Sequence, residues 1–177
     1  MAEASSEFDV FATLGTFDAP FARMEELAAL LARSGRRVLF QYGNNAEPKP
    51  AENLTAVQWL PFGEMARRLR ETPVVVAHAG VGILMSSLRQ GRRPVVVPRR
   101  AEFGEHVDDH QLQIARKLAG RGLAVALLDE VSPEEMCARI LSLDPAELRV
   151  DALRREDKPV FTMLRRFFAG DAQGNEP

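Results

Sequence analysis

Short apolar runs rich in β-branched residues alternate along this chain with segments of helical period, and that alternation already narrows the fold. The runs cover residues 8–14, 37–42, 54–60, 74–77, 94–98 and 124–128; the helical segments cover 20–34, 62–70, 83–90, 107–121 and 133–143. In the first helical segment Phe21, Met24, Leu27, Ala28 and Leu31 share one face, Pro20 suits the first turn, and Gly35 ends it. Ser132 is a natural N-cap for the last. The run Val74-Val75-Val76-Ala77 carries no polar residue, as expected of a strand covered on both faces of a parallel sheet. Strands alternating with helices predict an α/β, three-layer, Rossmann-like domain with a parallel sheet. Ligands of such sheets bind beyond the carboxyl ends of the strands. The functional loops are therefore expected at 15–20, 42–50, 61–64, 78–82 and 99–110.

Composition limits the alternatives. A chain of 177 residues makes one domain, and 46% hydrophobic with 27% charged residues is ordinary for a globular protein. The net charge of −2 argues against a general nucleic-acid binder. The single cysteine, Cys137, excludes an internal disulfide framework and fits a reducing compartment. Residues 1–7 hold two acids and no basic residue, unlike a signal peptide. The longest nearly uncharged apolar run, 73–85, is 13 residues long and too short to span a bilayer.

Three constellations can carry chemistry. In His78-Ala79-Gly80-Val81-Gly82, between a strand and a helix, small residues let the backbone approach a ligand, and the helix start suits a diphosphate. A tight strand-to-helix turn asks for the same glycines. The string is neither the dinucleotide fingerprint nor a P-loop. Second, His106 and His110 in Glu105-His106-Val107-Asp108-Asp109-His110 would share a helical face, as zinc ligands do. A helix start capped by Asp108 or Asp109 explains the string better, since no cysteine cluster or HExxH accompanies it, and no metal site is expected. Third, Arg89, Arg92, Arg93, Arg99 and Arg100 fall together with no acid among them. Arginine forks match phosphates, but with 20 Arg against 3 Lys arginine is also the default cation of this chain.

A wider set of strings points further. It comprises an early Phe11-Ala12-Thr13-Leu14-Gly15-Thr16, Gln41-Tyr42-Gly43, Trp59-Leu60-Pro61-Phe62, the His78–Gly82 string, Gly91-Arg92-Arg93-Pro94 running to Pro98-Arg99, and Gly104-Glu105-His106-Val107-Asp108-Asp109-His110-Gln111. Over residues 8–145 this set resembles the C-terminal, nucleotide-sugar-binding half of glycosyltransferase family 28, of the GT-B type. Within the family it is similar to stand-alone catalytic subunits of two-component transferases. The Gly104–Gln111 string points to the bacterial exopolysaccharide and capsule glucosyltransferase subunits.

The resemblance implies a UDP-sugar donor, no cofactor, no metal held by an acidic motif, and no nucleic-acid partner. It implies that Ala79, Gly80, Val81 and Gly82 hold the diphosphate and that the backbone around Phe62 and Met65 holds the uracil. His110 and Gln111 match the family's His-Gln pair, whose Gln reaches donor-sugar hydroxyls. Gly15 and Thr16 face the acceptor, Gln41 and Arg99 lie in matching strings, and His78 is the candidate base. Two positions depart from the pattern. Ile83 stands where relatives often have Ser or Thr, and Ser86 where many have a Glu gripping the ribose. A GT-B enzyme has two such halves, so the resemblance also implies a membrane-anchored partner subunit that binds a lipid-diphosphate-linked sugar acceptor. The chain would then be cytoplasmic and peripheral at the inner face of the plasma membrane. The activity implied is hexosyl transfer in exopolysaccharide biosynthesis, the alternative being an inactive regulatory or scaffold module of such a complex. Residues 146–177 are expected to form a helical appendage and flexible tail, with Val160, Phe161, Leu164, Phe167 and Phe168 as an apolar stripe.

Overall fold

The computed structural model describes residues 6–129, 132–152 and 162. Six strands form one parallel sheet: β1 (Val10–Thr13), β2 (Val38–Gln41), β3 (Leu54–Val57), β4 (Val74–Ala77), β5 (Val95–Val96) and β6 (Val125–Ala126). Four α-helices connect strands, α1 (Ala22–Arg33), α2 (Phe62–Glu71), α3 (Val81–Arg89) and α4 (His110–Gly120); β2 runs to β3 without a helix, and a fifth, α5 (Pro133–Leu141), follows β6. The strand order is β3-β2-β1-β4-β5-β6. β1 pairs with β2 from Val10↔Val38 and with β4 from Val10↔Val74.

Alternate residues of each strand feed opposite layers, which is why these strands read as unbroken apolar runs. Val10, Ala12, Val38, Phe40, Val74, Val76 and Val95 pack with Met24, Leu27 and Leu31 of α1 and Met136 and Ile140 of α5. On the other face Phe11, Leu39 and Val75 pack with Leu69 of α2. Val96 packs there with Leu84 and Met85 of α3 and Ile114 and Leu118 of α4. The sheet thus lies between two helical layers, the three-layer α/β architecture expected.

Boundaries shift where a local signal loses to the geometry of the neighbours. β5 and β6 keep two residues each of the longer runs expected. α3 starts at Val81, two residues inside the expected turn, because Gly80 already sits in an extended N-cap conformation. α4 starts at His110 rather than 107, since Asp108 Oδ1 accepts the His110 N–H and holds residues 106–109 in a turn. The cap expectation for that helix is only half met. Asp109 is the N-cap residue, but its carboxylate accepts from the Ala101 N–H at 3.0 Å instead of from its own helix. Ser132 caps α5 as expected, in a full capping box with Glu135.

The packed unit continues to Leu148, which is buried. Arg93 N–H donates to Leu148 O at 2.9 Å and Val150 N–H to Gly91 O at 3.1 Å, an antiparallel bridge to the start of β5. The apolar stripe expected at 160–168 lies outside the described residues, Thr162 excepted. Among the described residues no helix is long and apolar enough to cross a membrane.

Candidate functional site

The sheet reverses its winding between β1 and β4, and at such a switch point the loops leaving the two strands diverge and open a crevice. A cleft of about 750 Å³ lies there, lined from β1 by Thr13, Gly15 and Thr16, from β2 by Gln41, from α2 by Met65, and from the β4–α3 turn by His78, Gly80, Val81, Gly82, Ile83 and Ser86. No residue of this lining is charged. The cleft therefore holds no carboxylate to repel a diphosphate or to carry a metal.

The start of α3 forms one wall. Its first intrahelical bond runs from Leu84 N–H to Gly80 O at 3.1 Å, so the Val81, Gly82 and Ile83 N–H groups precede the ladder. There is no side-chain cap and no acid in the first turn, so nothing internal competes for the positive end of the helix. The glycines of the turn divide between the two readings open at the sequence. A Cβ on Gly80 would stand 2.1 Å from His78 Nε2, and one on Gly15 (φ +72°) 2.2 Å from His78 Cε1. These two glycines make room for an imidazole clamped between the loops. A Cβ on Gly82 would meet nothing within 4 Å; its missing side chain keeps the helix start open to the cleft.

His78 is buried, and its Nδ1 has no hydrogen-bond partner. Burial first, then the nearby Arg99 charge, pushes its pKa down to about 4, against a weaker opposing pull from the Thr13 backbone. The ring is neutral at physiological pH. A pKa so far below the working pH makes it a weak proton acceptor, better suited to hydrogen bonding than to general-base work. Gln41 carries a second orphan, a buried Oε1 with no partner, at the end of β2.

Five of the residues expected at the site do not line the cleft. Phe62 projects from the start of α2 and is 90% exposed. Its neighbour Met65 faces the cleft, but the Met65 N–H is taken by Pro61 O at 2.8 Å. Ala79 is buried, and its N–H donates to Gln111 Oε1 at 3.2 Å. That oxygen also accepts from the Arg99 N–H at 3.0 Å. Both partners are donors, so the amide orientation is determined, and Nε2 is the Gln111 group left for a ligand. Gln111, at the start of α4, thereby ties the β4–α3 turn to the segment leaving β5.

Arg99 is completely buried and lies behind the cleft wall. Its guanidinium donates to the carbonyls of Ala19 (3.0 Å), Pro20 (3.3 Å) and Glu105 (3.2 Å) and stacks over Phe21 at 4.4 Å. Desolvation pulls its pKa down to about 10, with Glu105 opposing. The other arginines of the cluster disperse. Arg92 is buried on Arg70 O at 2.8 Å, and Arg100 pairs with Glu102 and the Leu128 carbonyl. None lines the cleft, so the cluster is not the phosphate-binding patch that its spacing allowed. Sequence reasoning also missed Ile83 as a lining residue in its own right, and the Glu105–Arg23 pair (2.6 Å) that braces the Arg99 loop. The string Gly104-Glu105 held the signal for that pair, but nothing in it named the partner 82 residues away.

His110 stands beside Gln111 at the start of α4, its Nδ1 directed to Asp108 Oδ1. His106 stacks on Phe17 of the β1–α1 loop at 4.6 Å. Five of the six large hydrophobic side chains exposed among the described residues, Phe17, Trp59, Phe62, Phe103 and Val107, lie in the segments that follow the carboxyl ends of the strands.

Residues 11–161 match the model of the glycosyltransferase family 28 C-terminal domain. No curated protein matches the sequence. Among solved structures, the glycotransferase of kitacinnamycin superposes with a TM-score of 0.59 at 20% identity, covering 96% of this chain and 40% of that one. MurG of Acinetobacter baumannii gives 0.60 at 20%, covering 82% and 44%. The solution structure of ALG13 gives 0.57 at 17%, covering 90% of this chain and 95% of that one. The chain thus spans less than half the length of the first two and nearly the whole of the third. At these identities the likeness is one of fold.

Proposed function

Because the chain belongs to glycosyltransferase family 28, we propose that it is the donor-binding catalytic subunit of a two-part glycosyltransferase. In this reading it takes a hexose from a UDP-sugar and delivers it to a polyprenol-diphosphate-linked sugar during exopolysaccharide biosynthesis. One observation carries the reading: an uncharged cleft at the sheet's switch point, walled by a helix start whose first N–H groups have no internal acceptor and no competing acid. That wall suits a leaving diphosphate, whose growing charge helix-start amides stabilise without metal. Val81, Gly82 and Ile83 would donate to the phosphates, and Ser86, one turn on, would offer one hydroxyl to the ribose. The segment around Met65 would meet the uracil, with its free N–H groups at Phe62, Gly63 and Glu64. Gln111 Nε2 would hydrogen-bond the sugar while its oxygen holds the turn.

The acceptor half would come from a separate, membrane-anchored subunit. The exposed Phe17, Trp59, Phe62, Phe103 and Val107, all in segments that follow the carboxyl ends of the strands, support this, since exposed large apolar side chains mark docking surfaces. Transfer would then occur at the membrane's inner face through that partner.

The test is calorimetric titration of the purified chain, and of the chain with membranes carrying the partner, using UDP, UDP-glucose, UDP-GlcNAc and GDP, with and without EDTA. UDP-selective binding that survives EDTA is expected. No binding at millimolar ligand in either preparation would overturn the reading and favour an inactive scaffold, a role to which Ile83 and Ser86 lend some weight.

A further inference from the structure

The segment from β5 to the start of α4 holds a cluster that does not line the cleft. His106, Asp108 and His110 each offer one ligand atom, and the three atoms lie within 4.8 Å of one another. They meet through a turn and not along a helix. Both imidazoles direct Nδ1 at the same oxygen, Asp108 Oδ1, His106 from 3.3 Å and His110 from closer. The two rings stand edge to face with centroids 4.5 Å apart, and Phe17 stacked on His106 fixes the plane of that ring.

His106 Nδ1 lies 3.4 Å from the Asp108 backbone nitrogen and 3.3 Å from Asp108 Oδ1, so one imidazole and one carboxylate converge on a single point beside the second imidazole. A cation held there would take a lone pair from each side chain. A neutral imidazole and a carboxylate are the forms that bind metal.

We propose that His106, Asp108 and His110 bind one divalent transition-metal ion of the zinc, cobalt or nickel class. Two imidazoles and one carboxylate suit these ions, whereas magnesium and calcium call for all-oxygen shells. Three protein ligands leave at least one position for water or an anion. Binding fixes the loop that carries Arg99, Glu105 and Gln111. The inference is independent of the donor reading.

The untagged full chain, stripped with chelator and dialysed, is titrated with Co²⁺ followed by visible absorbance and with Zn²⁺ followed by calorimetry. One ion per chain, with cobalt ligand-field bands, is the expected result. His106→Ala and Asp108→Asn should each weaken binding by about tenfold or more. Asp108→Asn keeps an oxygen for the His110 N–H, so its effect reads ligation and not loss of the turn; circular dichroism checks both variants for folding. No binding up to about 1 mM ion, or binding that both variants leave unchanged, overturns the site.

Discussion

At the residue scale, Gln111 and His78 carry the sharpest consequences. Gln111 uses its oxygen on the Ala79 and Arg99 amides, and in the proposed function its nitrogen is the group that meets the donor sugar. Two substitutions separate these tasks. Gln111→Leu loses both and leaves two buried N–H groups unpaired, each costing about 1–3 kcal/mol; melting temperature and UDP affinity should both fall. Gln111→Glu keeps an oxygen for the two amides and loses only the donor. It should retain most UDP affinity while discrimination among UDP-sugars collapses. If the two variants lose UDP affinity equally, the division of labour is wrong. His78 sets a pH dependence. Its folded pKa of about 4 lies below the ordinary 6.5. Between those values the unfolded chain binds a proton that the native chain refuses, so stability falls as pH drops from 6.5 toward 4. At roughly 1.4 kcal/mol per pH unit, that loss is about 3 kcal/mol. Denaturant midpoints measured across this range should show it, and His78→Asn should flatten the slope.

At the scale of elements, the β4–α3 turn divides its glycines by purpose. Gly80→Ala drives a methyl into the His78 ring, 2.1 Å away, and should cost about 1–3 kcal/mol of stability. Gly82→Ala meets nothing and gains helix propensity, worth up to about 1 kcal/mol, while its methyl enters the diphosphate wall. It should melt no lower than wild type yet bind UDP severalfold more weakly. Equal melting temperatures for the two variants would remove the distinction. The elements themselves were largely legible. Val74–Ala77 reads as a buried strand, and Ser132 with Glu135 reads as a capped helix start, because each signal is local. The start of α4 was not legible. Apolar period extends back to Val107, but an aspartate turn takes residues 106–109 out of the helix and leaves Val107 84% exposed.

At the scale of the whole molecule, the exposed large apolar side chains of the described residues, Leu141 excepted, follow the carboxyl ends of the strands. Val107→Glu touches no core, so stability should change by less than about 0.5 kcal/mol. Co-purification with the acceptor-binding subunit, by contrast, should be lost. Unchanged co-purification would place the partner elsewhere on the surface. The candidate site divides along the same line as the fold. Gly15, His78, Gly80 and Gly82 follow directly from strand ends and a glycine turn, Ser86 came only from the family resemblance, and all five line the cleft. The arginine cluster, read as one patch, comes apart into separate structural contacts.

What the amino-acid order determined by itself was the three-layer parallel architecture, the placement of ligand-facing loops beyond the carboxyl ends of the strands, and the Ser132 cap. Each depends on periodicity and turn chemistry within a few residues, where the chain's own geometry suffices. Only the tertiary structure decided that Arg99 is a buried brace, that Gln111 ties two loops through one oxygen, and that His106 and His110 meet over Asp108. The first two depend on partners brought from segments 12 to 85 residues apart. The third depends on the turn that ends the helical reading of its own segment. In each case the energy of a buried polar group is set by what surrounds it, and the surroundings exist only once the sheet and its helices have packed.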